Sequence, residues 1–80
     1  MFENKVLVNL YIISLDKNIE LYLPINEKIG NILMLLEKSL FETSINKQMI
    51  LLNLRSGNVY KNNDLVRDTD IKNGAKLILA

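Results

Sequence analysis

The alternation of apolar and polar positions divides the chain into short elements. Over residues 5–15, Val6, Val8, Leu10 and Ile12 fall on one parity and Leu7, Asn9, Tyr11 and Ile13 on the other, the period of two expected of a strand. Asn9 marks the wetter face. Asp16-Lys17-Asn18 supplies turn residues. Ile19, Leu21 and Leu23 then alternate with Glu20 and Tyr22 up to Pro24, and two such runs around a polar turn predict a β-hairpin. Next the period changes. Ile29, Ile32, Leu33, Leu36 and Leu40 follow the spacing of one helix face, which predicts a helix over residues 27–41. Asn26 is its expected N-cap, and Glu27 sits near the positive end of the helix dipole. Gly30 weakens the first turn by about 1 kcal/mol relative to Ala.

Residues 49–54 return to a period of two. Ile50, Leu52 and Leu54 are read as the inner set and Met49, Leu51, Asn53 and Arg55 as the outer set, because Asn53 and Arg55 are polar. Ser56-Gly57-Asn58 forms a turn, Val59-Tyr60 a short strand, residues 61–64 a polar loop, residues 70–74 a second turn and residues 75–79 a last strand. The order is β-β-α-β-β-β. A helix inserted once between a hairpin and later strands predicts an α+β fold, a mixed sheet of four to five strands with one helix across one face. Leu21, Ile32, Leu36, Leu52 and Leu77 are its expected core.

Composition narrows what such a domain can do. Eighty residues admit one domain, residues 1–80. With no Cys and no His, disulfides, thiolate or imidazole metal sites and Ser–His or Cys–His catalysis are excluded. Ten basic against nine acidic side chains give no electrostatic footprint for nucleic acid or anionic membrane. The longest uninterrupted apolar run, Ile32 to Leu36, falls far short of the ~20 residues that span a bilayer. No signal peptide is recognisable, so a cytoplasmic protein without direct membrane insertion is expected. Asp64, Asp68 and Asp70 are near one another in sequence but read as loop and turn groups, Asp68 bonding a backbone N–H of its own turn. No catalytic, cofactor-binding or metal-binding residue is assigned, and no enzymatic activity is expected.

Three stretches resemble the ubiquitin-like β-grasp fold. Residues 17–23 look like the second strand, with Ile19, Leu21 and Leu23 inward; Ile29, Ile32 and Leu36 resemble the inward helix positions; and Val66-x-Asp68-x-x-Ile71, followed by Asn73-Gly74 and Leu77-x-Leu79, is similar to the tail of many ubiquitin-like proteins. Val66 stands where Leu is usual. More specifically, Pro24-Ile25 before the helix, the Ile71-Lys72-Asn73-Gly74 turn and the short overall length resemble the YukD/EsaB proteins of type VII (WXG100, Ess) secretion loci in Gram-positive bacteria. That resemblance implies a non-catalytic accessory or regulatory protein acting by protein–protein docking, its partners being cytoplasmic parts of the membrane components of the secretion system. The alternatives are a sulfur carrier or protein modifier, or a generic ubiquitin-like interaction module. The carrier reading is disfavoured because the chain ends Leu79-Ala80, with no Gly-Gly anywhere.

Two surfaces are candidates for docking. In the β-grasp sheet the first, third and last strands lie side by side, so Leu7, Leu51 and Ile78, with Tyr11, could form an apolar patch on the face away from the helix. A contiguous patch of this kind marks a binding surface, although long side chains could instead cover it. Met34 and Phe41 lie off the helix core stripe and could bind a partner, support a homo-oligomer, or in the case of Phe41 tuck under the following loop.

Overall fold

A computed structural model describes residues 4–41 and 49–80, with the side chain of residue 41 left aside. Strand β1 (Lys5–Ile12) pairs antiparallel with β2 (Lys17–Pro24), helix α1 runs over Ile29–Phe41, and strands β3 (Leu51–Asn53) and β4 (Ala75–Leu79) complete the sheet. The strand order is β2-β1-β4-β3. The central pair, β1 and β4, is parallel, and β3 pairs antiparallel with β4. The first, third and last expected strands are therefore neighbours, in the mixed α+β arrangement the pattern predicts. The expected fifth strand at Val59-Tyr60 reduces to one bridge between Leu52 and Val59.

The first hairpin turns earlier than its polar residues suggest. A 3-10 turn, Ile13–Leu15, closes β1, and Asp16 takes the left-handed conformation at φ 51°, which a short polar side chain tolerates. Lys17 and Asn18 consequently belong to β2. The helix likewise starts at Ile29 rather than at residue 27. Its first N–H groups are taken by a neighbouring loop, Ile29 N–H donating to Asp64 O and Gly30 N–H to Asn62 O, each at 2.9 Å. Asn26 is not the cap; its side-chain oxygen accepts from the Arg67 guanidinium at 2.7 Å. The close approach of this loop also accounts for Gly30, where a Cβ would lie 3.0 Å from Asn62 Cβ.

The core lies between the sheet and the helix. Val8, Leu10, Ile12, Leu23, Leu77 and Leu79 from the sheet meet Ile29, Ile32, Leu33 and Leu36 from the helix, and Tyr60, Val66 and Ile71 close the ends. Leu40 packs against this cluster, which completes the expected helix stripe. Of the expected core residues, Ile32, Leu36 and Leu77 are buried and Leu21 is half-buried against the cluster.

Strand β3 has the opposite face assignment from the one its polarity suggests. Leu51 is 1% exposed and Asn53 6%, whereas Leu54 is 59% exposed. Leu52 is half-buried opposite Ile78 on the outer face. The reason is Asn53, a buried polar residue whose hydrogen bonds are met. Its side-chain N–H donates to Tyr60 OH at 3.1 Å. Its oxygen accepts from the backbone N–H groups of Arg55 at 2.8 Å and Ser56 at 3.1 Å. A polar side chain so satisfied carries little burial penalty.

Candidate docking face and adjoining polar cluster

The outer face of the sheet, opposite the helix, is organised in rows by strand register. Leu52 stands opposite Ile78, Ile78 opposite Tyr11 and Tyr11 opposite Asn18. This row places three apolar or aromatic side chains side by side across β3, β4 and β1. Leu54 lies just beyond β3, its N–H donating to Lys76 O at 2.9 Å. The next row, Lys76, Asn9 and Glu20, is polar. A shallow depression on this face is lined by Tyr11, Leu54, Lys76 and Ile78 among others.

The expected patch is thus rebuilt rather than reproduced. Ile78 and Tyr11 are register partners on this face. Leu51 is inside the core, and its place is taken by Leu52 and Leu54. Leu7 is on the outer face but four residues before Tyr11 along β1, ~13 Å away at strand rise. There it stands opposite Tyr22 and gives its N–H to Asn73 Oδ1 at 2.8 Å, so the polar row separates it from Ile78. Tyr22 itself carries the Lys5 ammonium 5.0 Å above its ring centroid. Tyr11 OH donates to Asp16 Oδ1 at 2.7 Å. That hydrogen bond, with burial and the carboxylate charge behind it, raises the phenol pKa above its ordinary value. The bond also fixes the direction of the ring at the hairpin end of the face.

On the other side of the molecule Met34 and Leu35 are exposed, at 53% and 62%. Leu35 borders a small groove with Leu21, Tyr22, Leu23 and Pro24. The Phe41 side chain lies outside the described residues. Helix and outer sheet face are therefore separate surfaces, with Tyr22, at the β2 edge, bordering both.

Sequence reasoning did not find the cluster behind β3. Tyr60 OH donates to Asp70, and Asn58 Nδ2 donates to Asp70 Oδ2 at 2.9 Å. Burial, then the bond to Asp70, pushes the Tyr60 phenol up to about 12. The same bond, helped by neighbouring hydroxyl and amide donors, holds the Asp70 carboxyl below its usual value. The cluster fastens the Ser56-Gly57-Asn58 turn to the segment leading into β4. Asp64 accepts the Lys61 N–H at 3.0 Å, the turn-capping role expected of Asp68; the Asp68 N–H donates to Leu65 O at 2.9 Å. Among the described residues no group of three or more acidic side chains is placed to hold a metal ion. No helix among them is long and apolar enough to cross a membrane.

No family model and no curated protein matches the chain. Solved structures do. A protein described as a molecular mimic of SUMO that promotes DNA repair superposes with a TM-score of 0.79 at 14% identity, covering 100% of this chain and 95% of its own. The N-terminal ubiquitin-like domain of the 4931431F19Rik protein gives 0.75 at 14% identity, over 96% and 74% of the two chains. A de novo design based on ubiquitin gives 0.74 at 10% identity, over 98% and 89%. Strand order, the single helix and these superpositions together establish the fold as the ubiquitin-like β-grasp.

Proposed function

We propose that this protein is a non-catalytic, non-conjugating docking module whose outer sheet face binds a protein partner. We propose further that it serves as an accessory or regulatory component of a bacterial type VII secretion system. The observation that carries the docking reading is the row Leu52–Ile78–Tyr11 with Leu54 beside it. Leu52, Ile78 and Tyr11 are half-buried and Leu54 is exposed, and a partner covering them would take the remaining apolar surface out of water. Burial is worth about 25 cal/mol per Å² of apolar surface before association costs. The secretion assignment is supported by the resemblance carried by the Pro24-Ile25 and Ile71-Lys72-Asn73-Gly74 motifs. Its partners are the cytoplasmic parts of the membrane-anchored secretion components, which places the protein in the cytoplasm.

The test is co-purification with recombinant cytoplasmic domains of those components. Ile78→Asp and Leu54→Asp are expected to keep the wild-type circular dichroism spectrum and lose the partner, while Met34→Asp retains it. Folded Ile78→Asp and Leu54→Asp variants that bind normally, with binding lost in Met34→Asp, would move the docking surface to the helix. A WXG100 protein and an FtsK-like ATPase encoded beside this chain are the expected genomic setting. A gene for an adenylating enzyme in their place would favour the carrier reading.

A further inference from the structure

Next to the outer face is a pocket whose charge differs from that of the rest of the molecule. It has a volume of about 400 Å³ and lies between the end of β3 and the segment from Asp70 to Lys76. Arg55, Lys72 and Lys76 line it against a single carboxylate, Asp70. Three cations and one anion make the lining formally +2, whereas the whole chain carries only +1. The basic excess of the protein is therefore gathered in this one pocket, and all other residues together are slightly acidic. Asp70 remains a charged carboxylate, its two oxygens accepting from Tyr60 OH and Asn58 Nδ2, and the three cations still outnumber it.

The walls are held in place by bonds between distant parts of the chain. Asn73 Oδ1 accepts the Leu7 N–H and Gly74 N–H donates to Leu7 O, both at 2.8 Å. Leu54 N–H ties the opposite wall to Lys76 O. Gly74, at φ 84°, makes the bend that aims Lys72 and Lys76 from either side of the turn. A receptor assembled in advance in this way has less ordering to do when a ligand arrives. Leu54, 59% exposed, forms part of both this pocket and the apolar depression on the outer face, and so does Lys76. The two surfaces are continuous.

We infer that this pocket receives an acidic segment of the protein partner, a Glu or Asp carboxylate next to an apolar residue, with the carboxylate between Arg55, Lys72 and Lys76 and the apolar side chain on Leu54. This rests on the docking role proposed above and specifies the chemistry of what docks. A free inorganic anion would satisfy the cations and leave Leu54 in water, whereas an acidic segment with an apolar neighbour covers both. Guanidinium and ammonium groups around a carboxylate also steer the encounter and set its register.

The probe is a short synthetic peptide of alternating Glu and Leu, blocked at both ends, titrated into the ¹⁵N-labelled full chain. Its Gln/Leu counterpart and inorganic phosphate are run alongside. The acidic peptide is expected to shift the amides of Arg55 and of residues 72–76, and added salt to weaken it. Lys72→Glu should weaken it about fivefold or more. Lys38→Glu, the same charge change in the last turn of α1, should leave peptide affinity within about twofold. Equal binding of the Gln/Leu peptide, no shifts at residues 72–76, or an unchanged affinity in Lys72→Glu would overturn the inference. Phosphate producing the same shifts at the same concentration would also overturn it, in favour of a small-anion site. If the acidic peptide ignores the pocket while Ile78→Asp still loses the partner, the docking function stands and this inference alone falls. If the peptide seats as described but Ile78→Asp keeps the partner, the outer-face reading fails instead.

Discussion

Two adjacent leucines in β3 differ enough in environment to be told apart by truncation. Leu51 stands opposite Leu79 within the core and is 1% exposed. Leu51→Ala removes three carbons from a closed cluster whose helix side is fixed by Ile32 and Leu36, a change that costs about 2–5 kcal/mol because the neighbours refill only part of the space. Leu52 stands opposite Ile78 on the outer face and is half-buried. Full burial of such a side chain is worth about 1.5–3 kcal/mol, so truncating a half-buried one, with no enclosed cavity left behind, costs roughly 1 kcal/mol. In a domain of this size each 1 kcal/mol moves Tm by about 4–8 °C. Leu51→Ala should therefore lower Tm by at least about 10 °C and Leu52→Ala by about half of that or less. Thermal melts followed by circular dichroism at one pH give both numbers, with urea melts to check that the m-value is unchanged. If Leu52→Ala proves the more damaging of the two, Leu52 points into the core, β3 has the reverse face assignment, and the docking row described above does not exist.

Three further outcomes test how the ends of the core are closed. Gly30→Ala should destabilise the protein by about 1 kcal/mol, although Ala is the better helix former, since its Cβ would meet Asn62 Cβ at 3.0 Å and Asn62 O at 3.1 Å; a raised Tm in that variant would show that the loop yields freely. The Tyr60 phenol is held up at about 12 in the folded chain, so its contribution is fully present below the ordinary phenol pKa of 10.0 and is lost as pH rises toward 12. Alkaline melts should show a fall in Tm across that window that is smaller in Tyr60→Phe; parallel profiles for the two proteins would mean that Tyr60 does not link folding to pH. Asp70 behaves with the opposite sign, its pKa being depressed: its contribution is present above the ordinary carboxyl pKa and is lost as acid titrates the folded state, so Asp70→Asn should flatten the acid limb of the same profile.

Most of the fold is written in periodicities long enough to average over single residues. The alternation in β1 and β2 and the stripe Ile29, Ile32, Leu33, Leu36 on α1 each rest on several positions, and every member of that stripe is buried. The ends of elements were less legible, because they depend on partners far away in sequence. The helix begins at Ile29 because carbonyls of residues 62 and 64 take its first N–H groups, and nothing within residues 26–30 announces that. The hairpin turns at Ile13–Leu15 because Asp16 accepts a positive φ, whereas the run of polar residues places the turn at 16–18, three positions later.

The faces of β3 show why a short strand is the hardest case. With three paired residues, one polar side chain decides the parity, and Asn53 points inward. The local sequence did hold a signal: Asn two and three residues before the N–H groups it accepts, followed by Ser56-Gly57, is an Asx-type turn opener, and Tyr60 seven residues on supplies the acceptor for its amide. Reading Asn53 as a turn anchor instead of a solvent marker reverses the strand, and in a sheet a change of one residue moves every side chain to the other face. That reversal is also what joins the two candidate surfaces. With Leu51 outward, the patch would have ended at β3. With Leu52 and Leu54 outward, it continues past the strand to Arg55 and the basic pocket, so the same residue that misled the sequence reading places an apolar side chain where an acidic partner segment would need one.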